Sequence, residues 1–258
     1  MFLEFRFRSK ELNKQVQVNV VIPEIFKDTG KTYKTLWLLH GLSDDHSAWM
    51  RNTSIERYAN KHGIAVVMPD VNRCWYTNTA YDANYFNFVA KELPTVCRGL
   101  FHGMSEKRED NIIGGLSMGG YGALKLSLTC PEQYCACISL SGALDITRKN
   151  RHYNLNEWRS IFGFDMQSPL ELEGSEHDLF ALAVRNKNEG MPFPKLYLWC
   201  GLEDTLLETN RAFSRLLSEL GVSHTYEESE GDHSWQWWDL HIQDGLACVL
   251  RDGTSFQS

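Results

Sequence analysis

Short apolar runs that stop at Gly, Asp or Ser recur along the chain. Each is a few residues long, and few polar side chains interrupt it. Near-continuous apolar strands of this kind are typical of a parallel sheet that is buried on both faces. The early segments 1–12 and 15–24 alternate instead, which predicts strands of an antiparallel kind. The apolar runs occupy 35–41, 63–70, 110–117, 135–145 and 195–204.

Segments with helical spacing lie between the apolar runs. They are 54–63, 83–97, 119–132 and 208–221. The last of them has a clear apolar face, as expected for a helix that packs on a core. Its members are Phe213, Leu216, Leu217 and Leu220. Strands that alternate with helices predict βαβ units and one sheet covered on both faces. In such folds the chemistry gathers at the carboxyl ends of the strands.

Residues 146–194 break this rhythm, because they are polar, contain aromatic residues and show only short helix signals. We predict that they form an insertion over the strand ends, near the active site. The chain has 258 residues and no repeat, linker or low-complexity tract. It is therefore expected to form one α/β domain, 1–258, with a mostly parallel central sheet and helices on both faces.

Residues 114–122 read GGLSMGGYG, and each glycine in a regular element costs about 0.5–1 kcal/mol relative to alanine. The segment 115–119 matches G-x-S-x-G, the nucleophile elbow, between an apolar strand and a helical pattern. Side chains two positions either side of Ser117 would meet neighbouring backbone, so both positions are glycine. We expect the other glycines to let the helix pack closely on the sheet; they are Gly114, Gly120 and Gly122. A glycine-rich turn without chemistry is the alternative.

The elbow motif predicts the α/β-hydrolase fold, in which the serine nucleophile is followed along the chain by an acid and then a histidine. Asp204 follows an apolar strand, and His233 lies in a turn after another extended segment. The histidine would take the serine proton, and the carboxylate would hold the imidazole in the correct tautomer. Glu203 and Asp145 are competing candidates for the acid. The predicted triad is Ser117, Asp204 and His233.

The segment WLLHGLSDDHSAW at 37–49 ends a predicted strand at His40. In many hydrolases of this fold the following loop gives one backbone N–H to the oxyanion hole, and the residue after the nucleophile gives the other. These donors would be Leu42 and Met118. We expect His40 to brace the loop without touching substrate. The remaining histidines considered are interpreted as solvated or satisfied; they are His46, His177, His224 and His241.

Two aromatic-rich segments, NRCWYTNTAYDANYF and SWQWW, lie beside a predicted strand end and the predicted base. Most of these rings are expected to pack in the core. Trp75, Tyr76 and Trp235 are the candidates for a substrate pocket, because each lies close to a strand end or to His233. An apolar aromatic pocket suits a short acyl chain or an aromatic acid. Cys74 lies beside them, but no histidine is near it in sequence.

The formal net charge is −7 and the basic residues are scattered, which argues against a nucleic-acid partner. No apolar run reaches the roughly 20 residues that span a bilayer, and the first residues lack a signal-peptide core. The seven cysteines have no metal spacing, and they predict reduced thiols in a cytoplasmic protein. No metal or other cofactor is expected. The oligomeric state stays open, a homo-oligomer included.

Six ordered blocks resemble the esterase D family of α/β-hydrolases, which includes S-formylglutathione hydrolases, and they are most similar to its bacterial tributyrin esterase branch. The resemblance implies a serine esterase with Ser117, Asp204 and His233 at the triad positions. It also implies that Leu42 and Met118 match the oxyanion positions. The blocks are LLHGLSDDHSAW, VVMPDVNRCWYT, GLSMGGYGALKLSL, SLSGALD, WCGLEDTLL and GDHSWQWW.

One position departs from that family. S-formylglutathione hydrolases carry histidine just before the nucleophile, where this chain has Leu116, and their segment after the fifth strand differs. The first hypothesis is therefore a carboxylesterase for acetyl to butyryl esters that works through an acyl-enzyme, with acetylated or feruloylated carbohydrate among the candidate substrates. A thioesterase of the S-formylglutathione hydrolase type is the alternative. A non-catalytic binding protein on a hydrolase scaffold is the third.

Overall fold

A computed structural model describes residues 1–24, 32–81, 83–147, 154–163 and 165–251. Within these ranges one eight-stranded sheet has the order β1-β2-β4-β3-β5-β6-β7-β8. The pairs β1–β2 and β2–β4 are antiparallel, and all other neighbours are parallel. The strands are β1 (Phe2–Ser9), β2 (Lys14–Val21), β3 (Thr35–Leu39), β4 (Ala65–Pro69), β5 (Asn111–Leu116), β6 (Ala136–Leu140), β7 (Lys195–Gly201) and β8 (His224–Ser229).

Helices lie between the strands in sequence. A π-helical turn at Phe88–Glu92 joins α3 to α4, and 3₁₀ turns occur at Arg108–Asp110 and Pro169–Leu172. The α-helices are α1 (Ala48–Asn52), α2 (Ile55–His62), α3 (Tyr85–Asn87), α4 (Leu93–Leu100), α5 (Met118–Thr129), α6 (Leu155–Phe162), α7 (Leu179–Asn188), α8 (Leu207–Glu219) and α9 (Trp235–Leu250).

The central strands are buried on both faces, which explains their continuous apolar sequence. In β3, Leu36 and Leu38 join one core cluster, whereas Trp37 and Leu39 join the other. The first cluster takes in side chains of α1, α2 and α9, and the second takes in side chains of α4, α5, α7 and α8. The predicted α/β-hydrolase architecture, a mostly parallel sheet with helices on both faces, is confirmed.

Some apolar runs extend past the strand that they predict. The run 135–145 gives a strand only to Leu140, because Ser141 turns away with a φ of 46°. The run 195–204 likewise gives a strand only to Gly201. The residues that follow Leu140 stay buried as far as Leu144, because that loop is packed into the molecule, whereas Leu202 and Glu203 after β7 are exposed. Burial rather than strand structure makes the residues after Leu140 apolar.

Two glycines of α5, Gly120 and Gly122, make room for different neighbours. A Cβ on Gly120 would lie 2.6 Å from Ser139 Oγ of β6, so this glycine does let the helix approach the sheet. A Cβ on Gly122 would instead lie 2.2 Å from the ring of Tyr76. The expectation that Gly122 serves packing on the sheet was wrong: it makes room for an aromatic ring in the loop after β4.

Candidate active site

Ser117 lies at a sharp turn between β5 and α5. Its φ is 52°, a left-handed value that costs a non-glycine residue of order 1–3 kcal/mol. A Cβ on Gly115 would lie 2.5 Å from the backbone of Gly119, and a Cβ on Gly119 would lie 2.3 Å from the carbonyl oxygen of Leu39. Both motif glycines are therefore required by close backbone approach. The Ser117 N–H donates to the Leu140 carbonyl at 2.9 Å, which fixes the turn against β6.

His233 lies between Ser117 and Asp204. Its Nε2 is 3.0 Å from Ser117 Oγ, and its Nδ1 is 2.8 Å from Asp204 Oδ2. The Asp204 side chain is fully buried, whereas that of His233 is 35% exposed. With its proton on Nδ1, the imidazole donates to the carboxylate and accepts from the serine hydroxyl. The structure thus brings together all three residues predicted as a triad, in the order that the chemistry requires.

Several donors surround the Asp204 carboxylate. Its Oδ1 accepts the Leu206 N–H at 2.8 Å, and the hydroxyl of Ser141 also donates to it. Burial by itself raises the pKa of Asp204, but the hydrogen bond and charge interaction with His233, joined by these two donors, bring the net pKa below its usual value. Asp204 is therefore ionised at neutral pH. Such a carboxylate stabilises an imidazolium.

Ser141 is a site residue that the sequence reasoning missed. Besides its contact with Asp204, its Oγ accepts the indole N–H of Trp238 at 3.1 Å. The competing acids have other partners: Glu203 accepts the Gly231 N–H at 2.7 Å, and Asp145 accepts from Thr147. The signal for Ser141 was its place at the end of an apolar run, next to a glycine.

His40 is buried under the loop that follows β3. Its Nε2 accepts the Val71 N–H at 3.1 Å, and its Nδ1 donates to the Gly41 carbonyl at 2.7 Å. Burial outweighs the nearby carboxylates and lowers the pKa of His40, so the ring is neutral. The hydroxyl of Tyr76 also donates to the His40 carbonyl at 2.9 Å. These bonds brace the loop, as the sequence predicted for His40.

The two predicted oxyanion donors stand on either side of the serine. Leu42 lines the same cavity as Ser117. Met118 is the first residue of α5, a position whose N–H has no partner within the helix. Asp44 accepts the Gly41 N–H at 3.2 Å and so fixes the bend that precedes Leu42. The Asp44 contact therefore holds the backbone before Leu42, and the start of α5 holds the backbone at Met118.

A cavity of about 300 Å³ opens above Ser117 and His233. Its lining includes apolar side chains and a bidentate ion pair in which Arg73 Nε and Nη2 lie 2.6 and 3.1 Å from the Glu157 carboxylate. Glu157 belongs to α6, so the 154–158 part of the chain lines the cavity. The apolar side chains are Leu42, Trp75, Ala143, Trp158 and Leu206, and the polar ones are Arg73, Asn154, Glu157 and Thr205.

The three aromatic pocket candidates occupy different places. Trp75 lines the cavity. Tyr76 is not among the lining residues, because its fully buried ring lies against Gly122 while its hydroxyl reaches the His40 carbonyl. Trp235 is not among them either: its ring packs against Trp49 at 5.1 Å and Trp238 at 5.3 Å between centroids. The cavity instead includes Trp158, which the sequence did not single out.

The four histidines that the sequence analysis set aside as solvated or satisfied are buried or partly buried, and each lies near another polar side chain. His46 was expected to be solvated, but it is buried and its Nε2 lies 4.0 Å from Glu4. His224 contacts Ser214 at 2.8 Å, and His241 contacts Asp244 at 2.9 Å. His177 lies 3.0 Å from the Lys125 amine. None of these contacts involves Ser117, and within the described residues His46 Nδ1 is buried without a hydrogen-bond partner.

All seven cysteines are free thiols. Burial raises the pKa of Cys74 to about 12, so this thiol near the cavity is not a nucleophile at neutral pH. Among the described residues, no group of three or more His, Cys, Asp or Glu side chains is arranged to hold a metal ion. No helix in the same ranges is long and apolar enough to cross a membrane.

A family model described as "Putative esterase" matches residues 9–248. The chain belongs to this esterase family. An acetyl esterase of Caldicellulosiruptor saccharolyticus is 33% identical to it, and the match covers 96% of this chain and 98% of the relative. The predicted resemblance to the esterase D family and the predicted esterase function are confirmed, and this esterase acts on carboxylic esters.

Solved structures agree with this assignment. The fluorophosphonate-binding serine hydrolase F of Staphylococcus aureus, solved with substrate bound, is 34% identical with a TM-score of 0.90, covering 98% of this esterase and 99% of that chain. An S-formylglutathione hydrolase of the same organism is 33% identical with a TM-score of 0.87, covering 97% and 99%. This chain is thus a serine esterase, with thioester chemistry represented among its relatives.

Proposed function

We propose that Ser117, His233 and Asp204 form the catalytic triad of this serine carboxylesterase and that it hydrolyses short-chain esters through an acyl-enzyme. One observation carries the proposal. The continuous set of hydrogen bonds from the buried Asp204 carboxylate through His233 to Ser117 Oγ ends at the floor of the cavity. A nucleophile, a base and a group that orients the base are the parts that such chemistry needs.

In the first half of the reaction His233 Nε2 takes the proton of Ser117 as Oγ attacks the ester carbonyl. The carbonyl oxygen becomes an oxyanion that accepts the N–H groups of Leu42 and Met118. These are backbone donors held in place before substrate arrives, which is the property that makes an oxyanion hole effective. The tetrahedral intermediate then collapses, the bond to the alcohol oxygen breaks, and His233 gives its proton to the leaving alcohol.

The second half repeats these steps with water. His233 takes a proton from water, whose oxygen attacks the acyl carbon of the Ser117 ester. Collapse of this second intermediate breaks the bond to Ser117 Oγ, and the proton returns to that oxygen. Asp204 stabilises the imidazolium in both halves, because its depressed pKa keeps it ionised.

We further propose that the acyl group is acetyl to butyryl. The cavity of about 300 Å³ is lined by the adjacent rings of Trp75 and Trp158, whose centroids are 5.4 Å apart. The acetyl esterase relative favours the same choice. A thioesterase of the S-formylglutathione hydrolase type is the second candidate, favoured by the 33% identical S. aureus enzyme. Acetylated or feruloylated carbohydrate is proposed as the source of the ester.

The remaining proposals concern the whole protein. We propose one domain over 1–258, with 146–194 as an insertion near the active site; the single continuous sheet supports this. A cytoplasmic location is supported by the seven unpaired cysteines. The net charge of −7 supports a partnership with a small ester rather than with nucleic acid. A homo-oligomer is compatible with each of these proposals.

Labelling with a fluorophosphonate probe tests the nucleophile. The wild type is expected to react at a single peptide that contains Ser117, and Ser117→Ala is expected to lose both the label and the hydrolysis of p-nitrophenyl acetate while its Tm stays unchanged. Ser218→Ala, at an exposed position on α8, is the matched control and should label normally. A Ser117→Ala variant that keeps more than about a tenth of the wild-type kcat/KM would refute the assignment, because a true nucleophile contributes far more.

A further inference from the structure

Lys125 is a buried lysine on α5, about two turns after Ser117, with only 3% of its surface exposed. Its Nζ donates to Thr77 Oγ1 at 2.5 Å and lies 3.0 Å from His177 Nδ1. Burying an ammonium group is costly even when it has partners, and an apolar side chain of similar volume is often at least as stable. Stability alone therefore does not account for a lysine at this position.

Thr77 links this amine to the wall of the cavity. The Thr77 hydroxyl, while accepting from Lys125, donates to the carbonyl of Trp75 at 3.0 Å. The indole of Trp75 lines the cavity together with Ser117. A polar connection thus runs from the middle of the nucleophile helix to the backbone of a residue that is placed to touch the acyl group.

The backbone at Trp75 is strained. Trp75 and the next residue, Tyr76, have φ values of 53° and 50°, in the left-handed region that bulky residues seldom adopt. Two bulky residues in succession keep this conformation only where surrounding contacts hold it. The Trp75 ring packs edge-on against Tyr121 of α5 at 5.6 Å, and the Lys125–Thr77 contact holds the carbonyl of the same residue.

The same face of α5 reaches the chain beyond α6. Tyr121 donates from its hydroxyl to the His177 carbonyl at 2.9 Å, and the His177 ring contacts Lys125. The Lys125 amine also lies 5.7 Å from the centre of the Tyr121 ring, within range of a cation–π interaction. The helix α5, the turn that carries Trp75 and the segment before α7 therefore meet at one buried amine, whose pKa burial lowers to about 7.

We propose that Lys125 is a positioning residue that sets the acyl-chain preference of the enzyme, by fixing through Thr77 the strained turn that places Trp75. This proposal rests on the proposed esterase function of Ser117. Lys125 takes no part in bond making. Its effect is on which acyl groups fit, because a displacement of about 1 Å in a positioning group is enough to change rates by up to ~10²-fold.

The test compares kcat/KM for p-nitrophenyl acetate and octanoate in the variants Lys125→Met, Thr77→Val and the double variant. Without the Lys125–Thr77 contact the Trp75 turn should shift and admit longer acyl chains. The ratio of kcat/KM for acetate to kcat/KM for octanoate should therefore fall roughly fivefold or more in each single variant. The double variant should show no further fall, because both substitutions break one connection. Thr77→Ser keeps the hydroxyl and should keep the wild-type ratio.

Lys195→Met is the matched control, because Lys195 starts β7 and donates to carbonyls at the end of α9; its ratio should equal that of the wild type. Equal ratios in wild type and Thr77→Val would overturn the proposal, even if Lys125→Met failed to fold. The proposal would also be overturned if the fall in this ratio in the double variant equalled the product of the falls in the two single variants. A wrong assignment of the esterase function would give a different result, because Ser117→Ala would then hydrolyse the ester at the wild-type rate.

Discussion

Glu203 accepts the backbone N–H of Gly231 at 2.7 Å, two residues before His233, while its neighbour Asp204 accepts from the His233 ring itself. Adjacent carboxylates thus have separate tasks, since one holds the loop and the other holds the imidazole. The loop is further tied by the Glu203 N–H, which donates to the Gly231 carbonyl at 3.0 Å. This reciprocal pair supports Asp204 as the triad acid.

The first prediction follows from that division. Asp204→Asn should lower kcat for p-nitrophenyl acetate by about 10³–10⁴-fold, because an amide cannot hold the imidazole in its productive tautomer or stabilise the imidazolium. Glu203→Gln should be mild, because the amide oxygen can still accept the Gly231 N–H. Asp145→Asn should also be mild, since Asp145 accepts from Thr147. If Glu203→Gln proves the more damaging, the acid assignment moves by one residue.

The contact of Ser117, His233 and Asp204 could be predicted because the sequence shows the G-x-S-x-G glycines and the α/β-hydrolase fold fixes the chain order of acid and histidine. Glu203 and Asp204 both follow β7, so the sequence left them as competing acids, and only the contact of Asp204 with His233 separates them. By contrast, Ser141 reaches Asp204 from a different strand end. No spacing in the sequence reveals a contact between loops so far apart along the chain.

The second prediction concerns metal. The proposed triad and backbone donors supply nucleophile, base and charge stabilisation, and within the described ranges no cluster has the side chains to hold an ion. Dialysis against EDTA should therefore leave kcat/KM for p-nitrophenyl acetate unchanged. A loss of activity that added Zn²⁺ or Mg²⁺ restores would contradict this prediction.

The third prediction is a pH dependence of stability. Burial, with Lys125 nearby, lowers the pKa of His177 to about 3, against about 6.5 in an unfolded chain. Above pH 6.5 His177 is neutral in both the folded and the unfolded protein, so its titration does not change the free energy of unfolding. As the pH falls below that value the unfolded state binds a proton and the folded state does not, so stability is lost progressively towards pH 3.

His177→Gln should remove this contribution while an amide oxygen still accepts from Lys125. The Tm of the wild type should therefore fall more steeply than that of His177→Gln between about pH 7 and pH 4.5. His102→Gln, at an exposed turn, is the control and should follow the wild type. Equal slopes for wild type and His177→Gln would show that this histidine titrates alike in both states.

The aromatic residues show where sequence reasoning reached its limit. Trp75, Tyr76 and Trp235 were chosen because each lies near a strand end or the base, yet only Trp75 lines the cavity. Proximity along the chain does not give the direction of a side chain. Positive φ at Trp75 and Tyr76 directs the Trp75 ring into the cavity and the Tyr76 ring towards Gly122. The residue types Trp and Tyr do not predict a positive φ.

The fourth prediction is the acyl-length profile. Each methylene buried in a fitting pocket adds about 0.8 kcal/mol, so kcat/KM should first rise with acyl length. It should fall once the chain meets the paired indoles of Trp75 and Trp158, because a clash costs more than a methylene gains. The Arg73–Glu157 ion pair in the cavity lining offers a long acyl chain no apolar contact. The optimum should lie between acetyl and butyryl, and an optimum at octanoyl or longer would refute this pocket interpretation.

Decanoyl esters should be at least tenfold poorer than the best ester, which requires only about 1.4 kcal/mol of lost transition-state binding. Oxygen esters should also be preferred over S-formylglutathione. The reason is Leu116, where S-formylglutathione hydrolases carry histidine: an apolar residue buried beside the nucleophile has no hydrogen bond to offer a polar substrate. Measuring kcat/KM for S-formylglutathione beside the ester panel decides this point, because a thioester that outpaces every oxygen ester would make the thioesterase alternative the function of the site.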